Sequence, residues 1–264
     1  QSIDTVRHYF VEIKDDMIVI KDDGHGMSIE DINEKFLVVG YSRRDNNEAI
    51  SPKYKRPVMG RKGIGKLSLF SIASNIEIHS VKNGIPHGFV MNSKDIEKEI
   101  KNNEEYHPKD VPSSNFSIDK GTRIIISDFK KKINYTESYL KKRIARRFSV
   151  IGSKYNFTVS VNNTEIGASD RDYFSKIQFI WLVGDSDHDF SNEYSFEKVN
   201  KLNGSIDSPS GYSISGWIGA VSKPSDLEQD GVNNNKISII CRGKMAQEDI
   251  LETYNEGGIY ATYL

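Results

Sequence analysis

Three short segments of this chain have the residue types and the spacing to hold a nucleotide. The first is Asp22-Asp23-Gly24-His25-Gly26-Met27, placed where an alternating apolar run ends and a helical pattern begins. Asp22 therefore closes a strand with its carboxylate at a turn. An ionised carboxylate only accepts hydrogen bonds, which suits an exocyclic amino group such as that of adenine. Gly24 and Gly26 carry no Cβ and tolerate positive φ, so a flat ring can approach their backbone, with Met27 beside it. The competing reading is a plain acidic glycine turn in front of a helix.

The second segment is Met59-Gly60-Arg61-Lys62-Gly63-Ile64-Gly65-Lys66-Leu67-Ser68. Glycines at 60, 63 and 65, with Ile64 between the last two, leave backbone N–H groups free to turn inward. The helix that follows offers its positive N-terminus, and together these make an anion site suited to phosphates. Lys62 or Lys66 adds a charge-assisted contact. Gly60 to Lys66 also spells G-x-x-x-x-G-K, but a P-loop needs Ser or Thr next and follows a buried strand. Here Leu67 comes next and a polar, proline-containing loop comes before, so the P-loop reading fails. The third segment is Gly121-Thr122, opening a β-branched run to residue 127. A hydroxyl both donates and accepts, so Thr122 can join Asp22 through ordered water at the edge of a base.

The elements that must position these residues follow from periodicity. Residues 9–14 and 17–21 alternate apolar and polar around Asp15-Asp16, two strands joined by a tight turn. Ser28 caps a helix running to residue 39, with Ile29, Ile32, Phe36 and Leu37 on one face. Residues 41–58 form a long basic loop carrying Arg43, Arg44, Lys53, Lys55 and Arg56, of a length usual for functional lids. Residues 64–73 resume helical spacing, and strands 76–81 and 85–91 flank the hairpin signal Lys82-Asn83-Gly84. Further on come an exposed helix over 93–105, a buried strand over 122–127 and a strand over 157–161 closed by Asn162-Asn163. Between the last two lies an amphipathic helix over 139–150, with Lys141, Lys142, Arg143, Arg146 and Arg147 on its polar side. Such a run is either a solvated face or a track for a phosphate backbone. A boundary falls near Gly167, and strands are expected at 177–183, 212–220 and 236–241 beyond it. Strands and helices without strict βαβ alternation predict an α+β architecture, a two-layer sandwich with helices on one face of a mixed sheet.

Composition excludes several classes. Lys plus Arg is 36 and Asp plus Glu is 37, so no whole-chain charge draws nucleic acid or membrane. The single cysteine, Cys241, leaves no internal disulfide and no paired-cysteine metal site, as expected of a reduced, cytoplasmic setting. No apolar run reaches the ~18 residues of a membrane span, and no signal-peptide pattern opens the chain. The six histidines do not cluster with acidic residues at metal-ligand spacing, and Trp181 and Trp217 read as core. The first residue is Gln1, so a processed or partial chain is expected.

The ordered set of D-x-G-x-G-M, a lid, G-x-x-G-x-G and Gly-Thr on a strand resembles the GHKL (Bergerat-fold) superfamily. That superfamily includes gyrase, the ninety-kilodalton heat-shock chaperones, histidine kinases and MutL. The stretch from Gly60 to Phe70 is most similar to the chaperone and MORC-like branch. The resemblance covers residues 1–167 and implies an ATP-binding domain there, with an incomplete transducer-like α+β domain over 168–264. It implies that Asp22 binds the adenine amino group beside Gly24, Gly26 and Met27, and that residues 28–59 are the ATP lid. It also implies that Gly60, Lys62, Gly63, Ile64, Gly65 and Lys66 hold the phosphates and that Thr122 supports the adenine-side water. The family's first motif, a helix with a general-base Glu and a magnesium-binding Asn, would lie upstream, with Gln1 standing at the Mg2+-ligand position. In the second domain Lys244 is a candidate for the lysine that reaches the γ-phosphate, against the reading of a solvated turn lysine. The implied function is an ATPase switch that closes its lid and forms a homodimer. A nucleotide sensor without hydrolysis and a DNA-associated ATPase of MORC or MutL style are the alternatives.

Overall fold

Apolar strand segments between Arg7 and Glu165 pair into an eight-stranded sheet. The computed structural model describes residues 7–14, 16–43, 46, 48–50, 55, 58, 63–134, 136–152, 156–184, 194–202, 206–207, 211, 213–229, 232–241, 243–254 and 263. The strands are β1 Arg7–Ile13, β2 Met17–Asp22, β3 Ala73–Lys82, β4 Ile85–Asn92, β5 Lys109–Asp110, β6 Gly121–Phe129, β7 Phe157–Val161 and β8 Thr164–Glu165. Their spatial order is β5-β4-β3-β6-β2-β1-β7-β8. β1 and β7 run parallel, and the other neighbours are antiparallel. With its helices, this mixed sheet makes an α+β fold consistent with the Bergerat architecture.

Local chemistry fixes two of the connections. Asn83 and Gly84 both have positive φ, 52° and 77°, as do Asn162 and Asn163 at 47° and 68°. Two consecutive left-handed residues make the primed turn whose twist matches a two-residue hairpin. In the middle of the sheet, β6 pairs with both β2 and β3 in a register that stacks side chains in rows. Ile18 pairs with Ile126 and Ile126 with Ile76; Ile20 pairs with Ile124 and Ile124 with Ile78. Ile76, Ile78 and Ile126 lose almost all contact with solvent, and Ile32 and Phe89 close the cluster.

Two helical segments cover that cluster, and both depart from the expected geometry. Ser28 caps α1, Ile29–Asp31, in a full capping box with Asp31. The segment then widens into a π-helical turn over Ile32–Phe36, so Ile32 is buried while Ile29 is 45% exposed. The expected helix over 64–73 is a 3-10 helix, Gly65–Ser71, and Ala73 already belongs to β3. Ser68 and Ser71 bond back to the carbonyls of Gly65 and Ser68, both at 2.6 Å, which suits i,i+3 winding. α2, Ser93–Asn102, is capped by the Asn92 side chain and ends at Asn103 in the left-handed conformation, short of the expected residue 105. α3 spans Glu137–Arg147.

The chain divides into two compact units, one of Gln1–Ile144 with Val150–Gly167, the other of Ala145–Ser149 with Ala168–Leu264. In the second, β9 Phe179–Val183 lies between β10 Lys198–Leu202, parallel, and β13 Gly216–Ala220, antiparallel. Short pairs complete it: β11 Ile206–Asp207 with β12 Ser213–Ile214, β14 Glu228–Gln229 with β15 Val232–Asn233, and β16 Ile239–Cys241 with β17 Lys244–Gln247. α4 is Ile250–Tyr254. Its core gathers Phe174, Ile177 and Ile180 against Trp217, whose ring centroid lies 5.0 Å from that of Phe174. The Arg171 guanidinium donates to the carbonyls of Ala145, Phe148 and Ser149 at 3.1, 3.2 and 3.4 Å, satisfying acceptors at the end of α3.

Candidate functional site

One ladder step beyond the two isoleucine rows the chemistry changes. Asp22 pairs with Thr122, and Thr122 with Ser80. Side chains repeat every second residue along a strand, so this row shares the face of Ile20, Ile124 and Ile78. The sheet therefore sets a carboxylate and two hydroxyls in line at the margin of an apolar floor, with Ser80 fully buried and Asp22 and Thr122 partly exposed. Asp22 and Thr122 can hydrogen-bond the rim of a flat heterocycle placed beside that covered floor.

The turn carrying Asp22 is held from three sides. The Asp22 Oδ1 accepts from Gly24 N at 2.8 Å. Asp23 ties the turn to β1, where its Oδ1 accepts from His8 N at 3.0 Å and its own N–H donates to His8 O at 3.3 Å. Gly26, at φ 68°, lies so close to β3 that a Cβ would sit 2.2 Å from the Val81 carbonyl oxygen. Gly121, at φ 84°, would place a Cβ 2.0 Å from the Asp22 carbonyl oxygen. Both positions therefore demand glycine for close backbone approach as well as for conformation. Met27 N donates to the Ser80 Oγ at 2.7 Å, and Met27 also packs on the core cluster. His25 is exposed, with Nδ1 2.6 Å from the Gly26 carbonyl oxygen.

Of the glycine-rich segment, Gly60 and Lys62 lie outside the described residues, as does Gln1. Gly63, at φ 62°, abuts the backbone of Tyr41, where a Cβ would meet the carbonyl oxygen at 2.2 Å. That contact joins the start of the basic loop to the glycine turn. Ile64 precedes the 3-10 helix and is 49% exposed. A Cβ on Gly65 would meet no atom within 4 Å, so packing does not demand glycine there. Lys66 reaches back, its Nζ donating to the Val38 carbonyl at 2.8 Å and lying 5.5 Å from the Phe36 ring centroid. Burial pushes this ammonium below the ordinary lysine range.

The segment that follows the Asp22 turn is charged and paired. Asp31 accepts from Lys82 and lies 3.3 Å from Lys35, which in turn donates to Glu48 at 2.7 Å. The Lys82 hydrogen bond, aided by the Ser28 backbone, holds the Asp31 carboxyl well below the usual carboxylate range. Sequence reasoning took Lys82 only as part of a hairpin and passed over Asp31 and Ser80. The S/T-x-x-D pattern from Ser28 to Asp31 was the available signal for the capping box. For Ser80 the signal was a hydroxyl interrupting the Ile76, Ile78 alternation.

Among the described residues no group of three or more His, Cys, Asp or Glu side chains is arranged to hold a metal ion. None of their helices is long and apolar enough to cross a membrane. Lys244 is exposed on β17 in the second unit, in a bridge to Phe148. Of the basic residues on α3, Arg147 pairs with Glu248 at 3.0 Å and Arg143 lies 5.5 Å from the Tyr139 ring centroid.

Comparison with known proteins bears on this arrangement directly. Residues 5–123 match the family described as histidine kinase-, DNA gyrase B- and HSP90-like ATPase. The match runs through Asp22, the glycine-rich segment and Thr122. Over 258 residues the chain is 42% identical to a Herpetosiphon aurantiacus protein named "Putative type II restriction enzyme HgiDII". That alignment takes in 96% of this chain and 41% of the relative, so the chain spans less than half of the relative's length.

Proposed function

Because residues 5–123 form a domain of the histidine kinase-, DNA gyrase B- and HSP90-like ATPase family, we propose that this chain binds ATP against the Asp22–Thr122 row. The observation that carries the proposal is that row, set at the margin of the isoleucine floor and inside the matched segment. In this reading the Asp22 carboxylate accepts from the adenine amino group. Thr122 shares a water with it, and the turn at Gly24, Gly26 and Met27 lies beside the ring. The triphosphate runs toward Gly63, Ile64 and Gly65, whose N–H groups stand at the start of the 3-10 helix, with Gly60, Lys62 and Lys66 completing the phosphate side. Bound Mg2+ would screen the phosphate charge, and Gln1 is its proposed protein ligand.

Residues 28–59 act as the lid. Lys66, now on the Val38 carbonyl, ties the base of that lid to the glycine turn. Nucleotide binding draws Lys66 toward phosphate, releases this tie and changes the lid position, the usual route by which such loops gate turnover. In the full-length protein this drives slow hydrolysis and ATP-linked dimerisation. Hydrolysis needs a general base within reach of the attacking water, and we place that base upstream of Gln1. Residues 168–264 serve as the transducer-like domain.

Calorimetry with ATP tests the binding step. Asp22→Asn replaces one acceptor oxygen with a donor, and loss of a charge-assisted bond predicts roughly ten- to hundredfold weaker binding. Equal affinity in wild type and variant would remove the basis of the proposal. A second reading, a DNA-associated ATPase, is favoured by the name of the relative from Herpetosiphon. Under it the full-length protein couples nucleotide state to an action on DNA.

A further inference from the structure

Ser80 is fully buried on β3, next in its row to Thr122, and its hydroxyl joins two separate backbone segments of the candidate site. It accepts from Met27 N at 2.7 Å and faces the Gly121 carbonyl at 3.4 Å, toward which its proton points. Met27 ends the turn that starts at Asp22, and Gly121 precedes Thr122. One hydroxyl thus sits between the backbone that carries the carboxylate and the backbone that carries the threonine. The close contacts explain why the position matters. Gly26 leans on the Val81 carbonyl and Gly121 on the Asp22 carbonyl, so neither segment shifts alone. Without a partner, the Met27 N–H facing this row would need another acceptor, and the turn would have to move to find one.

We propose that Ser80 is a positioning residue that sets the depth of the Asp22 turn relative to Thr122 and so sharpens the choice of adenine over guanine. This rests on the reading that Asp22 binds the adenine amino group. The base-edge donor of adenine is replaced by a carbonyl in guanine, and a carboxylate held at fixed depth rejects that acceptor. A loosened turn lets the carboxylate retreat from it. Ser80 acts through Met27 and Gly121 and does not itself touch the base.

The test is titration calorimetry of the full-length protein with ATP and with GTP, for wild type, Ser80→Ala and Ser80→Cys, alongside thermal melting. Ser80→Ala is expected to weaken ATP binding roughly tenfold, the scale of one buried hydrogen bond to a backbone N–H. GTP binding should change far less, so the ATP-to-GTP preference shrinks. Ser80→Cys, nearly the same size with a weaker acceptor, should fall between. A purely structural serine would lower the melting temperature and leave the preference intact, and that result overturns the proposal. If Ser80→Ala does not fold, the cysteine variant decides alone: an unchanged preference overturns the proposal. Failure of the underlying reading shows differently, as a wild type that does not bind ATP or an Asp22→Asn variant that binds it equally well.

Discussion

Gly121 and Gly65 both belong to the candidate site, yet the structure requires glycine at only one of them. A methyl at Gly121 would enter the Asp22 carbonyl, and its φ of 84° is strained for any other residue. Gly121→Ala should therefore destabilise the fold by about 1–3 kcal/mol, read as a drop in melting temperature. A methyl at Gly65 meets nothing, so Gly65→Ala should melt like the wild type. If phosphates lie against that backbone, the same variant should bind ATP roughly tenfold more weakly. Unchanged melting with unchanged affinity would move the phosphates elsewhere. The contrast also marks what was legible at this scale. Asp22 stood out because it lies in a local motif whose residue types imply a chemistry, and Thr122 only through its order and spacing after the two glycine motifs. Ser80 did not, because a serine in an alternating strand carries no local mark. Its role arises from register across β2, β6 and β3, which joins residues about sixty and a hundred positions from the Asp22 turn.

At the scale of elements, hairpins were readable and helices less so. Asn83-Gly84 and Asn162-Asn163 encode their turns in residues that accept positive φ; the first hairpin formed where expected, and at the second, where only the end of a strand was expected, the chain turns back into β8. The segments over 28–39 and 64–73 show helical spacing of apolar residues, but spacing does not choose between α, π and 3-10 winding. Tertiary packing on Ile76 and Ile78 makes that choice. The capping box of Ser28 and Asp31 yields a pH prediction. The Asp31 carboxyl is held below its unfolded value, so the folded state favours the charged form. Its contribution is present above the unfolded carboxylate pKa of about 4 and is lost as pH falls through and below that value. Wild type should therefore melt higher than Asp31→Asn near pH 7, with the gap closing as the solution is acidified toward pH ~2. A gap that stays constant with pH would show that Asp31 does not act through its charge.

At the scale of the whole molecule, the division at Gly167 and the short return of Ala145–Ser149 to the second unit concern how nucleotide state could reach the rest of the protein. Arg171 binds three carbonyls at the end of α3, so Arg171→Ala leaves them without that donor. It should lower stability by about 1–3 kcal/mol without changing ATP affinity. The basic run on α3 is partly committed within the chain, since Arg147 is paired with Glu248. A DNA-associated role for the full-length protein therefore predicts a modest salt slope. DNA should raise phosphate release, and its affinity should fall linearly on a log–log plot against salt. Turnover indifferent to DNA would exclude that role.

The most direct measurement is a crystal structure of the protein with a non-hydrolysable ATP analogue. The expected result is the adenine amino group within about 3 Å of the Asp22 carboxylate, the ring beside Met27, and the phosphates at Gly63 to Gly65. An analogue bound with its base away from the Asp22–Thr122 row would contradict it.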